Sequence, residues 1–555
     1  MKILLPLLFA ISLFAQVVVE FRGNKTFSDT ELYEALGIER PWWERLWSDE
    51  PPKVDEKLLP ILHEELVAFY KEQGFWDVAV RLERRGDIAI FYIREGEPII
   101  VERVEVTSDF PIRRLIPLKP GDRFVASKFV SSKEAIRTAL LEAGYCSYHF
   151  DPKAYVYQTQ KRAYLVYYLQ KNGLCSVKSL SVSGLETINE RVVRSHIYLH
   201  PGGPFRLGLV RESYYRLYSL EYFRFVNIDY SKKIDNEVLL DIHLKERRRR
   251  NIYKIGLGYD TQNGLHASFF YKHLNYHQAQ PSLHLFYSNV KKGVDLSIFY
   301  PSLPQFGTLY PDSVFSVGFS RNEYDAFSER EYYGRIKLLK EYYRFGASLQ
   351  LGFERTRIYD ADPCITERSY TLLYPDLMLL WDGRDSKITP RKGFFVQDNV
   401  AVSLLSHSFV KNEAKGGLYI PFGYDLYLFA KARFGTIFAD DIPPNKLFYA
   451  GGVNSNRAYG YRQLTALDAD CDIGGKSLLE TTLEPRYRLK EKLWGALFWD
   501  RTYLSATELH IGPYRDAVGA GVLYDTPMGE LKLYFGLDPQ DPGQNAINLY
   551  LGATF

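Results

Sequence analysis

The sequence predicts a chain in two parts: a series of small α+β units, then a membrane all-β barrel of sixteen strands. Three observations carry this prediction. From about residue 250 to Phe555 apolar and polar residues alternate with period two and no convincing helix interrupts them, which is the pattern of a transmembrane barrel wall. Between Gln16 and Arg247 the order strand, helix, helix, strand, strand recurs three times. The composition, 43 Tyr and 35 Phe against 3 Met, suits half-buried strands and membrane-interface belts better than helical bundles.

The totals narrow the reading. A chain of 555 residues is too long for one ordinary domain. Lys plus Arg (70) against Asp plus Glu (67) leaves +3, which argues against nucleic acid as a partner. Met1–Ala15 has a basic start, an apolar run from Ile3 to Phe14 and a small residue before Gln16, the form of a secretory signal peptide. No later segment approaches the ~18–20 continuous apolar residues of a membrane helix. A bilayer crossing therefore has to be made by strands closed into a barrel.

The first unit, residues 16–97, opens on the alternating strand Val17–Arg22, followed by a Ser28-Asp-Thr-Glu31 capping signal. A helix over Asp55–Gln73 carries Leu58, Leu59, Leu62, Leu66 and Phe69 on one face. Strands at Phe75–Glu83 and Asp87–Arg94 complete it. The second unit, 98–174, opens at Ile100–Val106, with a helix near Ser127–Ala143 and strands at Tyr145–Gln158 and Ala163–Gln170. The third, 175–247, has strands at Ser176–Val182, Arg224–Tyr230 and Glu237–Leu244, with helices near Asn189–Leu199 and Leu207–Leu220.

Lys245-Glu-Arg-Arg-Arg-Arg250 marks the boundary, read as a solvated turn or a collar on lipid phosphates. The barrel, 248–555, divides into sixteen segments bounded by turn signals, the first about Asn251–Asp260 and the last about Ala546–Phe555. In Leu426–Phe438 the residues Leu426, Leu428, Ala430, Ala432 and Phe434 face one way, and Lys431 and Arg433 the other. An even strand number returns both ends to one side, so with the preceding units on the periplasmic side the long segment 439–477 is an external loop. This topology bears on the four cysteines. A hairpin brings Cys146 near Cys175, and Cys364 and Cys471 both fall in external loops, so Cys146–Cys175 with Cys364–Cys471 is the pairing that does not cross the membrane. Free buried thiols are the alternative.

Several short stretches resemble known modules. Phe21-Arg-Gly-Asn24, Phe69-Tyr-Lys-Glu-Gln-Gly-Phe75, Arg94-Glu-Gly96, Ala143-Gly-Tyr145 and Tyr222-Phe-Arg-Phe-Val226 are similar to POTRA domains, the periplasmic modules of outer-membrane assembly factors. In the long loop Phe448, Gly451, Gly452, Ser455, Arg457 and Tyr459 match the motif of the BamA/TamA/TpsB superfamily. Trp381–Gly393, Gly519–Gly529 and the terminal Phe555 resemble its other signatures. Ala458 and Thr502 stand where many members have glycine. With three units ahead of the barrel, the chain most resembles the TamA branch; BamA has five such units, and TpsB transporters have two behind a plug helix.

The resemblance implies that the loop folds into the barrel and that Arg457 binds Glu484 and Asp500 on the inner wall. A guanidinium forks onto a carboxylate in a way Lys does not reproduce. It also implies a weakly closed lateral seam between the first and last strands, where Gly256, Gly258 and Gly552 weaken packing, with Phe555 at its end. The implied partners are unfolded outer-membrane clients, outer-membrane lipid and a TamB-like inner-membrane-anchored protein. The implied location is the outer membrane, with the repeats in the periplasm. No cofactor, metal site or catalytic residue is expected: Gly475-Lys-Ser477 lacks the context of a phosphate loop, and His63-Glu-Glu-Leu-Val67 lacks the second histidine of a zinc protease. Asn24-Lys-Thr26 fits a glycosylation sequon but falls in a turn after a strand.

Overall fold

The computed structural model describes residues 16–38, 50–423, 425–466, 468–469, 473–490, 492–526 and 529–552. The expected signal peptide 1–15, Cys471 and Phe555 lie outside the described residues.

The first body has β1 (Gln16–Arg22), α1 (Asp29–Ala35), β2 (Lys53–Asp55), α2 (Leu59–Glu72), β3 (Ala79–Arg85) and β4 (Ile88–Arg94), with sheet order β2-β1-β4-β3. Ser28 and Glu31 form a reciprocal capping box on α1. Helix α2 buries Leu59, Leu62, Leu66 and Tyr70, a stripe at helical spacing. It packs on Val17, Val19 and Phe21 of β1 and Ala89, Phe91 and Ile93 of β4.

The second body has β5 (Ile100–Ser108), α3 (Ala126–Ala143), β6 (Tyr148–Tyr157) and β7 (Arg162–Lys171), with sheet order β5-β7-β6. It departs from the expected two-helix order: only a 3-10 turn, Arg113–Leu115, stands where the first helix belongs. Pro111, Pro117 and Pro120 bracket that stretch, and each removes an amide donor and disfavours a helical residue before it. Cys146 and Cys175 are joined by a disulfide. Cys364 is also disulfide-bonded.

The third segment carries β8 (Ser176–Ser183), α4 (Glu190–Ser195), α5 (Leu207–Ser219), β9 (Phe223–Asp229), β10 (Lys233–Ile234) and β11 (Glu237–Glu246). It repeats a polar device of the first body. In the first, Glu95 accepts from Lys25 N at 2.8 Å, Thr26 N at 2.9 Å and Thr26 Oγ1 at 2.7 Å. In the third, Glu246 accepts from Glu186 N at 2.8 Å, Thr187 N at 2.8 Å, Thr187 Oγ1 at 2.5 Å and Ile188 N at 2.9 Å. In each case a glutamate at the end of the last strand, Glu95 just past β4 and Glu246 closing β11, ties down the loop after the first.

The barrel strands are β12 (Asn251–Asp260), β13 (Gly264–His273), β14 (Gln280–Tyr287), β15 (Lys291–Tyr300), β16 (Asp312–Glu323), β17 (Ser328–Tyr342), β18 (Phe345–Tyr359) and β19 (Ser369–Asp382). They continue as β20 (Gly393–Ser403), β21 (Phe409–Pro421), β22 (Leu426–Phe438), β23 (Ser477–Lys490), β24 (Leu493–Ser505), β25 (Tyr514–Thr526), β26 (Gly529–Asp538) and β27 (Asp541–Gly552). All sixteen form one sheet in chain order, each neighbour antiparallel. Phe434, Leu426, Leu533 and Ile547 lie on the exposed outer face, while Tyr427, Phe429 and Tyr534 are buried in the lumen. The last strand begins at Asp541 rather than near Ala546, because the turn after β26 is tight and Asp538 pairs directly with Asp541.

Candidate functional site: the lumen loop and the barrel seam

The segment between β22 and β23 folds into the lumen instead of extending from the rim. Arg457, at 3% exposure, is its anchor. Its Nε and Nη2 donate to the two oxygens of Asp500 on β24, each at 2.8 Å, and its Nη1 donates to Glu484 on β23. The guanidinium also lies 3.6 Å from the Phe498 ring centroid and 4.6 Å from that of Tyr534, a stacked arrangement open to a planar cation. Each carboxylate has further donors: Thr482 Oγ1 to Asp500 at 2.9 Å, and Tyr534 OH to Glu484 at 2.8 Å. Buried charges that are paired and hydrogen-bonded in this way avoid the cost of an isolated ion.

The loop's small residues make that depth possible. Gly451 has φ 105°, and a Cβ there would stand 2.2 Å from the Gly460 carbonyl oxygen, so the turn closes only around glycine. Ser455 Oγ accepts from Gly451 N at 2.8 Å and donates to Glu480 on β23. Gly452 backs onto Gln262, in the turn after β12. Tyr459 OH donates to Asp538 at 2.7 Å. Ala458, one of the two departures from glycine, is fully buried among Val453, Phe498 and Tyr534. The close approach falls to Gly536, where a Cβ would meet the Arg457 carbonyl oxygen at 2.4 Å. Thr502, the other departure, is buried in regular strand opposite Glu480.

A second polar chain runs beside the first. Arg486 Nη1 reaches Tyr427 OH at 2.8 Å and Glu530 at 3.1 Å. Arg391 reaches the same Glu530 at 2.8 Å and Asp525 at 2.6 Å. Arg391 belongs to the stretch 381–393 singled out in the sequence, but its partners on β25 and β26 were not legible there.

The seam lies between β12 and β27. Every other pair of neighbouring barrel strands forms a ladder, whereas among the described residues β12 and β27 form none. Among the described residues the main chain is bridged there at one place, where Thr261 N donates to Leu549 O at 3.2 Å and Leu549 N to Thr261 Oγ1 at 3.2 Å. Gly256 and Gly258 sit opposite Ser268 and His266, whose side chains occupy the space a Cβ would take. Gly552 stands opposite Glu530. Sequence reasoning missed Asn548 and Gln544, both on β27. Asn548 Nδ2 donates to the Arg457 carbonyl at 2.9 Å and Gln544 Nε2 to the Ala458 carbonyl at 3.1 Å. The inserted loop therefore holds the last strand from inside.

Residues 249–555 match the family model described as the Omp85 superfamily domain. The chain belongs to the Omp85 superfamily. Residues 97–172 match a POTRA model, described as a surface antigen variable number repeat. Among curated relatives, the outer membrane protein assembly factor BamA of Nitratidesulfovibrio vulgaris is 23% identical over 572 residues, covering 95% of this chain and 71% of that protein. The BamA of Neorickettsia risticii is 22% identical over 554 residues, covering 93% and 74%. Among solved structures, Haemophilus ducreyi BamA lacking POTRA domains 1–3 is similar at a TM-score of 0.52 and 14% identity, covering 82% of this chain and 98% of that one; this is a likeness of fold. Omp85 membership makes the protein an outer-membrane β-barrel with periplasmic POTRA-like repeats, and not an enzyme. None of its described helices is long and apolar enough to cross a membrane.

Proposed function

We propose that this Omp85 protein is an outer-membrane assembly factor of the BamA type, which inserts β-barrel clients through the seam between β12 and β27. The observation that carries this reading is the unlaced seam, bridged among the described residues by Thr261 and Leu549 alone in a sheet otherwise paired between neighbours. Parting it exposes two strand edges, whose free amide and carbonyl groups are a template for an incoming strand. Strand pairing and burial in lipid supply the driving force, so no nucleotide is required. The Arg457 loop and the buried cluster of Tyr419, Tyr427, Phe429 and Trp494 inside the lumen favour lateral release over passage of a secreted partner through the pore, the TpsB-type alternative.

The domain boundaries 16–97, 98–174 and 175–247 are proposed for three POTRA units. The shared Thr26–Glu95 and Thr187–Glu246 devices support equating the first with the third. The resemblance to the TamA branch supports a second reading, TamA-like assembly with a TamB-like inner-membrane-anchored partner. Cys364–Cys471 is proposed as the external disulfide.

The test is a Thr261→Cys/Leu549→Cys pair in the full chain, scored for client insertion into vesicles. Oxidation should abolish insertion and reduction should restore it. Unchanged insertion by the oxidised protein would make the barrel a static pore. Insertion only when an inner-membrane-anchored partner is present would select the TamA-like reading.

A further inference from the structure

Four cations stand in one row on the outside of the barrel. Lys292 on β15 is directly opposite Arg321 on β16, Arg321 opposite Arg330 on β17, and Arg330 opposite Arg357 on β18. Arg355 sits one pleat further along β18 on the same face. The row shares its parity with Leu296, Val317, Tyr332 and Phe353, all exposed on the outer wall, so it points away from the lumen. It lies within two residues of the strand ends that adjoin the loops, at the end of the barrel remote from Asn251, where the chain arrives from the periplasmic repeats. That end meets the outer leaflet.

Like charges directly opposite one another weaken a ladder, and the protein offsets little of this repulsion. Glu323 lies 3.0 Å from Lys292 and 2.9 Å from Arg321. Arg321 and Arg330 each lie 5.1 Å from the Tyr359 ring. Among the described residues Arg330, Arg355 and Arg357 have no ion pair, and the nearby Asp325 and Asp360 are exposed in turns. With strands about 4.8 Å apart, the row spans roughly 14 Å. Below it, Phe319 packs on Tyr332 at 5.0 Å, continuing into the apolar wall.

We infer that this row is a binding site for the head group of an outer-leaflet lipid carrying two or more phosphates. The arginine forks take the phosphate oxygens, and the acyl chains lie along Tyr332, Phe353 and Val317. The spacing suits two separated phosphates, and the apolar wall beneath suits an amphiphile rather than a soluble anion. The site is separate from the seam and the lumen loop, and does not depend on the assembly reading.

The test is native mass spectrometry of the full chain in detergent with bisphosphorylated lipid A, its dephosphorylated form, inorganic phosphate and polyglutamate. Wild type should retain the bisphosphorylated lipid selectively, and Arg330→Gln/Arg357→Gln should weaken it at least about tenfold. Arg113→Gln/Arg114→Gln, exposed in the 3-10 turn of the second body, should bind as wild type does. If the first double variant fails to give the heat-shifted band of a folded barrel, the single Arg355→Gln variant should show a smaller loss in the same direction. Equal retention of the dephosphorylated lipid, of phosphate alone or of polyglutamate would overturn the inference, as would an equal loss in the Arg113/Arg114 variant or no loss in the row variants.

Discussion

Asn548 on the last strand donates its side-chain amide to the carbonyl oxygen of Arg457, 2.9 Å away in the lumen. The residue that anchors the loop to β23 and β24 is thereby also tied to one lip of the seam. Both groups are buried. Asn548→Leu leaves that carbonyl without this donor at a cost of about 1–3 kcal/mol, borne by the closed seam, in which the loop holds β27. A cysteine pair at Thr261 and Leu549 should therefore oxidise more slowly in an Asn548→Leu background. An unchanged rate would uncouple the loop from the seam.

Arg457 presents a sharper contrast. Arg457→Ala leaves Asp500 and Glu484 as uncompensated buried carboxylates, a loss of about 3–5 kcal/mol. Arg457→Lys keeps a charge but gives up the two parallel bonds to Asp500 and the ring stacking. The measurement is proteolysis of the loop at increasing temperature. The alanine variant should be cut at the lowest temperature, the lysine variant between it and wild type, and Arg457→Ala/Asp500→Asn should recover part of the difference.

The strands of the barrel were legible because one face meets lipid: Leu426, Leu428 and Phe434 alternate with Tyr427, Lys431 and Arg433, and period two is then forced. Glu484 and Asp500 were legible through resemblance to a motif, not through any local pattern. Asn548 and Gln544 were not, because an amide on an inward-facing strand position looks the same whether it meets water or a loop carbonyl. The lost helix of the second body was signalled by Pro111, Pro117 and Pro120, a signal overridden by the expectation of a repeat. The start of β27 was missed because Asp538-Pro-Gln-Asp-Pro-Gly543 reads as a long loop, whereas Asp538 and Asp541 pair across a two-residue turn. Asn24-Lys-Thr26 read as a sequon, yet its threonine serves Glu95.

Asp312, at the start of β16, holds α5 and the residue after α4. It accepts from His196 Nε2 at 3.1 Å, Arg216 Nη2 at 3.0 Å and Ser302 N at 2.9 Å. Lys340 adds a bond to the Ser195 carbonyl at 2.8 Å. Asp312→Asn removes the one carboxylate shared by α5 and the residue ending α4, and should cost about 3 kcal/mol of their attachment. Hydrogen exchange should then quicken across Leu207–Ser219 while the β22–β24 amides stay protected. Equal quickening in both regions would mean global destabilisation instead.

The first body carries a pH dependence of its own. Burial pushes the Glu95 carboxyl up, but hydrogen bonds from Thr26 N, Thr26 Oγ1, Lys25 N and Tyr70 OH outweigh it and hold the group below the usual carboxylate range. A depressed folded-state pKa contributes stability that is complete above the unfolded value and is lost as pH falls through the folded one. Glu246, held by Thr187 and three backbone amides, is lowered in the same way. Thermal unfolding of residues 16–97 within the full chain, followed by hydrogen exchange, should therefore weaken between neutral pH and acid. Glu95→Gln should be less stable than wild type at pH 7 and converge with it in acid, because the protonated wild-type carboxyl then no longer accepts as an anion. Parallel curves for the two proteins would assign the acid response to other groups.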